Sequence, residues 1–174
     1  PSGNLHLGNY LGALKRFAVT GAGIDGVAVR IARTGYTGEA GYEIFCPADH
    51  APDVARTLME AGEASGLKPA GMGARDSLRL EAGYPLYGHE ISESINPLRG
   101  GIGWTVKFDK ASDFIGKAAL REEKERGVPE RVVFFVLDGR RVGRQGMDVW
   151  SGSERVGEVL SGSFSPILNR PIGS

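Results

Sequence analysis

Between Val27 and Cys46 the chain is constrained to two extended segments joined by a shaped turn. Val27-Ala28-Val29-Arg30-Ile31-Ala32 alternates in the manner of a half-buried strand. Gly35, Gly38 and Gly41 then open backbone angles closed to other residues. A second short strand is expected from Tyr42 to Cys46. The turn presents Tyr36, Tyr42, Glu39 and Glu43. Tyrosine offers a flat face with a polar tip, and a carboxylate accepts hydrogen bonds. The residues alone leave two readings open: an ordinary hairpin with exposed Tyr and Glu, or a loop that holds a planar, polar ligand.

The surrounding pattern mixes helix and strand. Gly21 to Gly26 reads as a glycine-rich turn or linker. Asp49 to about Ala64 predicts a helix with Val54, Leu58 and Ala61, flanked by Ala55 and Met59, on one face, and Gly66 as its stop. A second helix is expected from about Gly71 to Ala82, with Arg75 and Arg79 on a shared face, Asp76 able to pair with Arg79, and Met72, Leu78 and Leu80 partly buried. Its arginines are either a solvated face or the edge of a cleft. Tyr84 to Tyr87 reads as an extended exit, Asn96 to Gly103 as a turn, and Trp104 to Phe108 as a strand. That turn matches neither dinucleotide nor P-loop glycine spacing. A charged helix from Phe114 to near Gly127 follows, with Leu120 inward. From Pro129 the pattern turns to strands, Arg131 to Leu137, Met147 to Trp150 and Arg155 to Leu160, separated by Gly and Ser. The fold class expected is α+β.

Composition narrows the function. At 174 residues a hydrophobic core is attainable, and 41% hydrophobic with 24% charged residues describes a globular chain. Lys plus Arg equals Asp plus Glu at 21 each, which argues against a nucleic-acid partner. The single cysteine, Cys46, excludes an internal disulfide and a cysteine zinc cluster. No apolar run is long enough to span a bilayer, and no signal peptide is evident. His6, His50 and His89 support no Ser/His/Asp triad, and no metal-ligand spacing occurs.

Several motifs, in order, resemble the glycine cleavage T-protein (aminomethyltransferase) family. Arg33 to Glu39 is similar to its RTGYTGE and is continued by Gly41-Tyr42-Glu43-Ile44. Gly73 to Gly83 is similar to GARDSLRLEAG, extended by Tyr84-Pro85-Leu86-Tyr87-Gly88. Gly103 to Lys107, Phe114 to Lys117, and Gly157 to Gly162 with Ser165-Pro166 follow in family order. Ala40 departs from the family's usual Asp. The likeness runs from about Gly26 to the end.

The resemblance implies a ferredoxin-like, folate-binding α+β domain over residues 21–128 and the start of a small β-barrel over 129–174. It implies transfer of a methylene unit from a lipoyl-bound aminomethyl group to tetrahydrofolate, with release of ammonia. The partner implied is the lipoyl-bearing carrier protein of the glycine cleavage system, in the cytoplasm, or in the mitochondrial matrix of a eukaryote. Glu43 would accept from the pterin edge, Arg75 would donate to folate oxygens, and Tyr36 and Tyr84 would pack on the rings or bond through their hydroxyls. The chain begins at Pro1 and ends at Ser174 inside a family motif, so both ends look cut. The family's catalytic aspartate and a further ligand arginine would lie outside it. No catalytic residue is therefore assigned, and the chain as given is expected to lack turnover.

Residues 1 to about 17 follow a different pattern. Pro1 to Lys15, with His6-Leu7-Gly8-Asn9, resembles the HIGH-type segment of class I aminoacyl-tRNA synthetases, tryptophanyl-tRNA synthetase most closely. The alternative is an amphipathic helix with Leu7, Leu11, Leu14 and Ala18 on one face. The expectation is an N-terminal helical segment over residues 1–20, joined chimerically to the rest. Competing readings are a recombined module without activity that self-associates as a homo-oligomer through exposed surface, an ATP-binding synthetase piece, and a folate-dependent relative of the sarcosine or dimethylglycine oxidising kind.

Overall fold

The computed structural model describes residues 20–174, so the synthetase-like segment and its proposed helix lie outside the described residues. The described chain is mixed helix and sheet, and its C-terminal part is barrel-like, in keeping with the expected α+β class. It divides into two compact units, and the division falls between Arg75 and Asp76, inside a helix.

In the first unit, β1 (Thr20–Ile24), β2 (Val27–Ala32) and β3 (Glu43–Phe45) form an antiparallel sheet in that order. The expected linker at Gly21 to Gly26 is therefore a strand and a turn. Asp25 and Gly26 both take positive φ, 48° and 76°, as a two-residue hairpin turn requires. Ile24 then faces Val27 and Thr20 faces Ile31 across the ladder. Along β2, Val29 is buried while Ala28 and Arg30 are exposed, the alternation read from sequence. Helix α1 (Ala51–Gly62) carries Pro52 and Asp53 in its first turn, where an orphan N–H is not missed and a negative charge meets the helix dipole. Its buried face is narrower than expected: Val54 is buried, Leu58 and Met59 are half-buried, and Ala55 and Ala61 are exposed. Gly66, at φ 76°, closes the segment in the left-handed conformation, as expected of a stop.

The second unit begins within α2 (Met72–Glu81) and holds α3 (Lys117–Arg126), β4 (Phe135–Val136), β5 (Asp148–Ser151), β6 (Glu154–Glu158), β7 (Gly162–Ser165) and β8 (Arg170–Gly173). Strands β4, β8 and β7 make one antiparallel sheet, and β5 with β6 makes a hairpin. Two strand expectations fail. Gly103–Thr105 is a single turn of 3-10 helix, because Thr105 N–H and hydroxyl both bond Ile102 O and Val106 N–H bonds Gly103 O. Such local bonds compete with a ladder. The run Arg131 to Leu137 pairs only at Phe135 and Val136, opposite Gly173 and Ile172, and leaves Val133 and Phe134 exposed. The turn at Asn96 is tied internally: its Oδ1 accepts from Leu98 and Arg99 N–H at 3.0 and 3.1 Å. Glu123 of α3 accepts from Asn96 Nδ2 at 2.6 Å and Arg99 Nε at 2.7 Å.

The core of this unit is polar at its centre. Arg79 and Glu90 are both out of water, at 1% and 0% exposure, beside Leu80, Val159 and Ile172. Arg79 donates through Nε to Asp76 at 2.8 Å, through Nη1 to Glu90 at 3.0 Å and Tyr84 O at 3.2 Å, and through Nη2 to Ser161 at 2.8 Å. Glu90 also accepts from Leu86 N–H at 2.8 Å and from the Ser174 hydroxyl. The Asp76 pairing was legible in sequence, but Arg79 lines no cleft edge, and Met72 is exposed, not buried. Burial alone would push the Glu90 carboxyl up. The hydrogen bonds from Ser161, Ser174 and the Leu86 N–H, with the Arg79 charge, outweigh it and hold the carboxyl below its ordinary value of 4.5.

Two predictions follow from this core. Arg79→Met strands a buried carboxylate and lowers unfolding stability by about 3–5 kcal/mol, while Arg79→Met with Glu90→Leu costs less than the two single changes summed, both read by urea denaturation. Because folding depresses the Glu90 carboxyl, its contribution is complete above the ordinary glutamate range. It is lost as pH falls from there through the lower folded value. Glu90→Gln should flatten this acid limb in a pH series of melting curves.

Candidate functional site

In the loop between β2 and β3, Gly38 takes φ 78°, a conformation that disfavours any side chain, whereas Gly35 and Gly41 keep ordinary negative φ. A Cβ on Gly41 would lie 3.9 Å from Thr34 O, so the two arms of the loop run close together. The β2–β3 register puts Glu43 opposite Ala32, the last residue of β2. Thr34, two residues further on, donates its hydroxyl to Glu43 Oε2. Among the described residues no hydrogen bond to Glu43 Oε1 occurs.

Arg75, at the end of the first unit, lies over the ring of Tyr36, its guanidinium carbon 4.8 Å from the ring centroid. A guanidinium carries its N–H donors in a planar fork that matches carboxylate or carbonyl oxygens. Arg75 is exposed, while Tyr36, Thr34 and Glu43 are half-buried. The first unit thus carries a carboxylate, an aromatic ring and a guanidinium, residue types that can hold a planar heterocycle with an anionic tail.

Tyr36, Glu43 and Arg75 all belong to the first unit, and the structure joins Tyr36 to Arg75 directly. Tyr84 belongs to the second unit, where its carbonyl accepts from buried Arg79. Thr34 was missed by sequence reasoning. The available signal was its place two residues beyond a strand whose partner begins with a glutamate. Of the histidines described, His89 bonds Leu160 O through Nδ1 at 2.7 Å, and His50 ends an exposed 3-10 turn. No group of His, Cys, Asp and Glu suited to a metal ion occurs among the described residues. No described helix is long and apolar enough to cross a membrane.

The family model for the GCVT N-terminal domain matches residues 10–110, and the model for the glycine cleavage T-protein C-terminal barrel domain matches residues 130–174. The chain belongs to the glycine cleavage T-protein family. Its T-protein match starts at residue 10, upstream of the likeness read from about Gly26. It is 52% identical over 163 residues to an aminomethyltransferase of Halothermothrix orenii, covering 94% of this chain and 45% of that protein. An aminomethyltransferase of Streptomyces coelicolor is 50% identical over 165 residues, covering 93% of this chain and 44% of its own length. The crystal structure of the glycine cleavage system aminomethyltransferase T from Bartonella henselae superimposes with a TM-score of 0.74 at 35% identity, covering 83% of this chain and 40% of that one. The chain therefore spans less than half the length of these T-protein relatives.

The Tyr36–Arg75 stack yields a prediction. In a double-mutant cycle of Tyr36→Ala and Arg75→Ala, the coupling energy read by denaturant titration is about 0.5–1 kcal/mol, the range for an exposed cation–π pair.

Proposed function

We propose that this chain is the folate-holding part of an aminomethyltransferase, binding a reduced folate such as tetrahydrofolate through Glu43, Arg75 and Tyr36 of the first unit. The observation that carries the reading is the Glu43 carboxylate, whose Oε2 accepts from Thr34 and whose Oε1 accepts no bond among the described residues, in the same unit as the Arg75 guanidinium stacked on Tyr36. A pterin presents adjacent N–H donors on one edge, which a carboxylate accepts in a forked pair. Arg75 suits the carbonyl or carboxylate oxygens of the same ligand, and Tyr36 suits its rings. Family membership supports the choice of folate over other planar anions.

When bound, tetrahydrofolate supplies the nucleophilic nitrogens that accept a one-carbon unit. The chain's own residues bind and orient it. No general acid or base is assigned among residues 20–174. The proposal extends to a lipoyl-bearing carrier protein as the source of the aminomethyl group, and to the cytoplasm or, in a eukaryote, the mitochondrial matrix. A second reading, a self-associating module without activity, is favoured by the exposed Tyr87, Ile115 and Trp150.

Calorimetric titration with 5-formyltetrahydrofolate, with ATP plus tryptophan as control, tests the proposal. Saturable folate binding is expected, weakened by about 1–3 kcal/mol in Glu43→Ala, the cost of losing a charged hydrogen bond. A folded sample that binds no folate, and that sediments as a dimer, would instead establish the self-associating module.

A further inference from the structure

The Thr34–Glu43 contact goes beyond the ligand set, and its interpretation rests on the folate reading of this site. Glu43 begins β3, and β2 ends opposite it at Ala32. A half-buried glutamate at a strand end has several rotamers open to it, and only some direct its carboxylate to a given ligand edge. Thr34 lies on the neighbouring arm of the loop, which passes close to the Gly41 backbone. Its β-branched side chain has restricted χ1 freedom, so its hydroxyl is a well-placed anchor.

We propose that Thr34 is a positioning residue whose hydroxyl, donated to Glu43 Oε2, fixes the carboxylate so that Oε1 is presented to the donor edge of the folate. The arrangement is self-consistent in hydrogen-bond capacity. An ionised carboxylate has about four acceptor positions. One threonine hydroxyl occupies a single position, on Oε2, and leaves Oε1 and the rest of Oε2 for two ligand donors. The hydroxyl also keeps the carboxylate from turning toward solvent before the ligand arrives, so the ordering is done in advance of binding. Thr34 need not touch the ligand.

Two measurements test this, and they separate the inference from the reading beneath it. The first uses no ligand. In the chain labelled with 13C at glutamate carboxyls, the Glu43 signal should carry a shift between H2O and D2O from the exchangeable Thr34 hydroxyl proton. That shift should vanish in Thr34→Val, which replaces the hydroxyl by a methyl, and persist in Thr34→Ser. A Glu43 signal indifferent to Thr34→Val overturns the inference, whatever the chain binds. The second is the affinity for 5-formyltetrahydrofolate in the wild type, Thr34→Val, Glu43→Gln and the double variant. Thr34→Val should weaken binding about fivefold to tenfold, the scale of one hydrogen bond, with Thr34→Ser within about twofold of wild type. In the Glu43→Gln background the Thr34→Val change should cost nothing further, because its effect passes through the carboxylate. Equal losses in both backgrounds overturn the positioning role. Glu43→Gln without effect on affinity overturns the folate reading itself, and the labelled-carboxyl result then stands alone.

Discussion

Arg79 and Glu90 form an ion pair with both members removed from water, and the second unit is arranged around satisfying it. Desolvating two charges costs several kcal/mol each, and the attraction between them recovers this only with good geometry and every remaining polar atom bonded. Here that condition is met from distant parts of the chain. Asp76 and the Tyr84 carbonyl come from α2 and its exit, the Leu86 N–H from the following loop, Ser161 from just before β7 and Ser174 from just after β8. The pair therefore specifies which segments must meet. His89 extends the same cluster through Leu160 O and Ser161.

The first unit solves a different problem with less burial. Its sheet is short, and its loop is held by a Thr–Glu hydrogen bond and an Arg–Tyr stack in place of a packed core. Such a loop keeps polar atoms at the surface, where a ligand can use them, and draws its shape from the rigid strands on either side. The two units differ physically: buried charges hold the second together, whereas in the first Glu43 is half-buried and Arg75 is exposed.

Much of this was legible in the sequence. The Val27 to Ala32 strand, α1, α2, α3 and the β5–β6 hairpin emerge from periodicity and turn residues. The motifs around Glu43 and Arg75 resemble those of the T-protein family, to which the chain belongs. What was not legible depended on long-range partners. Asp25-Gly26 is a hairpin signal, but the glycines of β1 disguised it as a linker. Trp104 to Phe108 has strand-forming residues and finds no ladder, so local bonds at Gly103–Thr105 prevail. Arg79 reads as a surface arginine because its partners Glu90 and Ser161 lie 11 and 82 positions away. Thr34 gave no sign of its role, since its partner is defined only once the loop closes.

The claim that matters most is that the loop between β2 and β3, with Arg75, is where folate sits. Mapping chemical-shift changes on the isotopically labelled chain during titration with 5-formyltetrahydrofolate tests it most directly. The account predicts saturable shifts centred on Thr34, Tyr36, Glu43 and Arg75. Shifts confined to other parts of the chain, or none at saturating ligand, would contradict it.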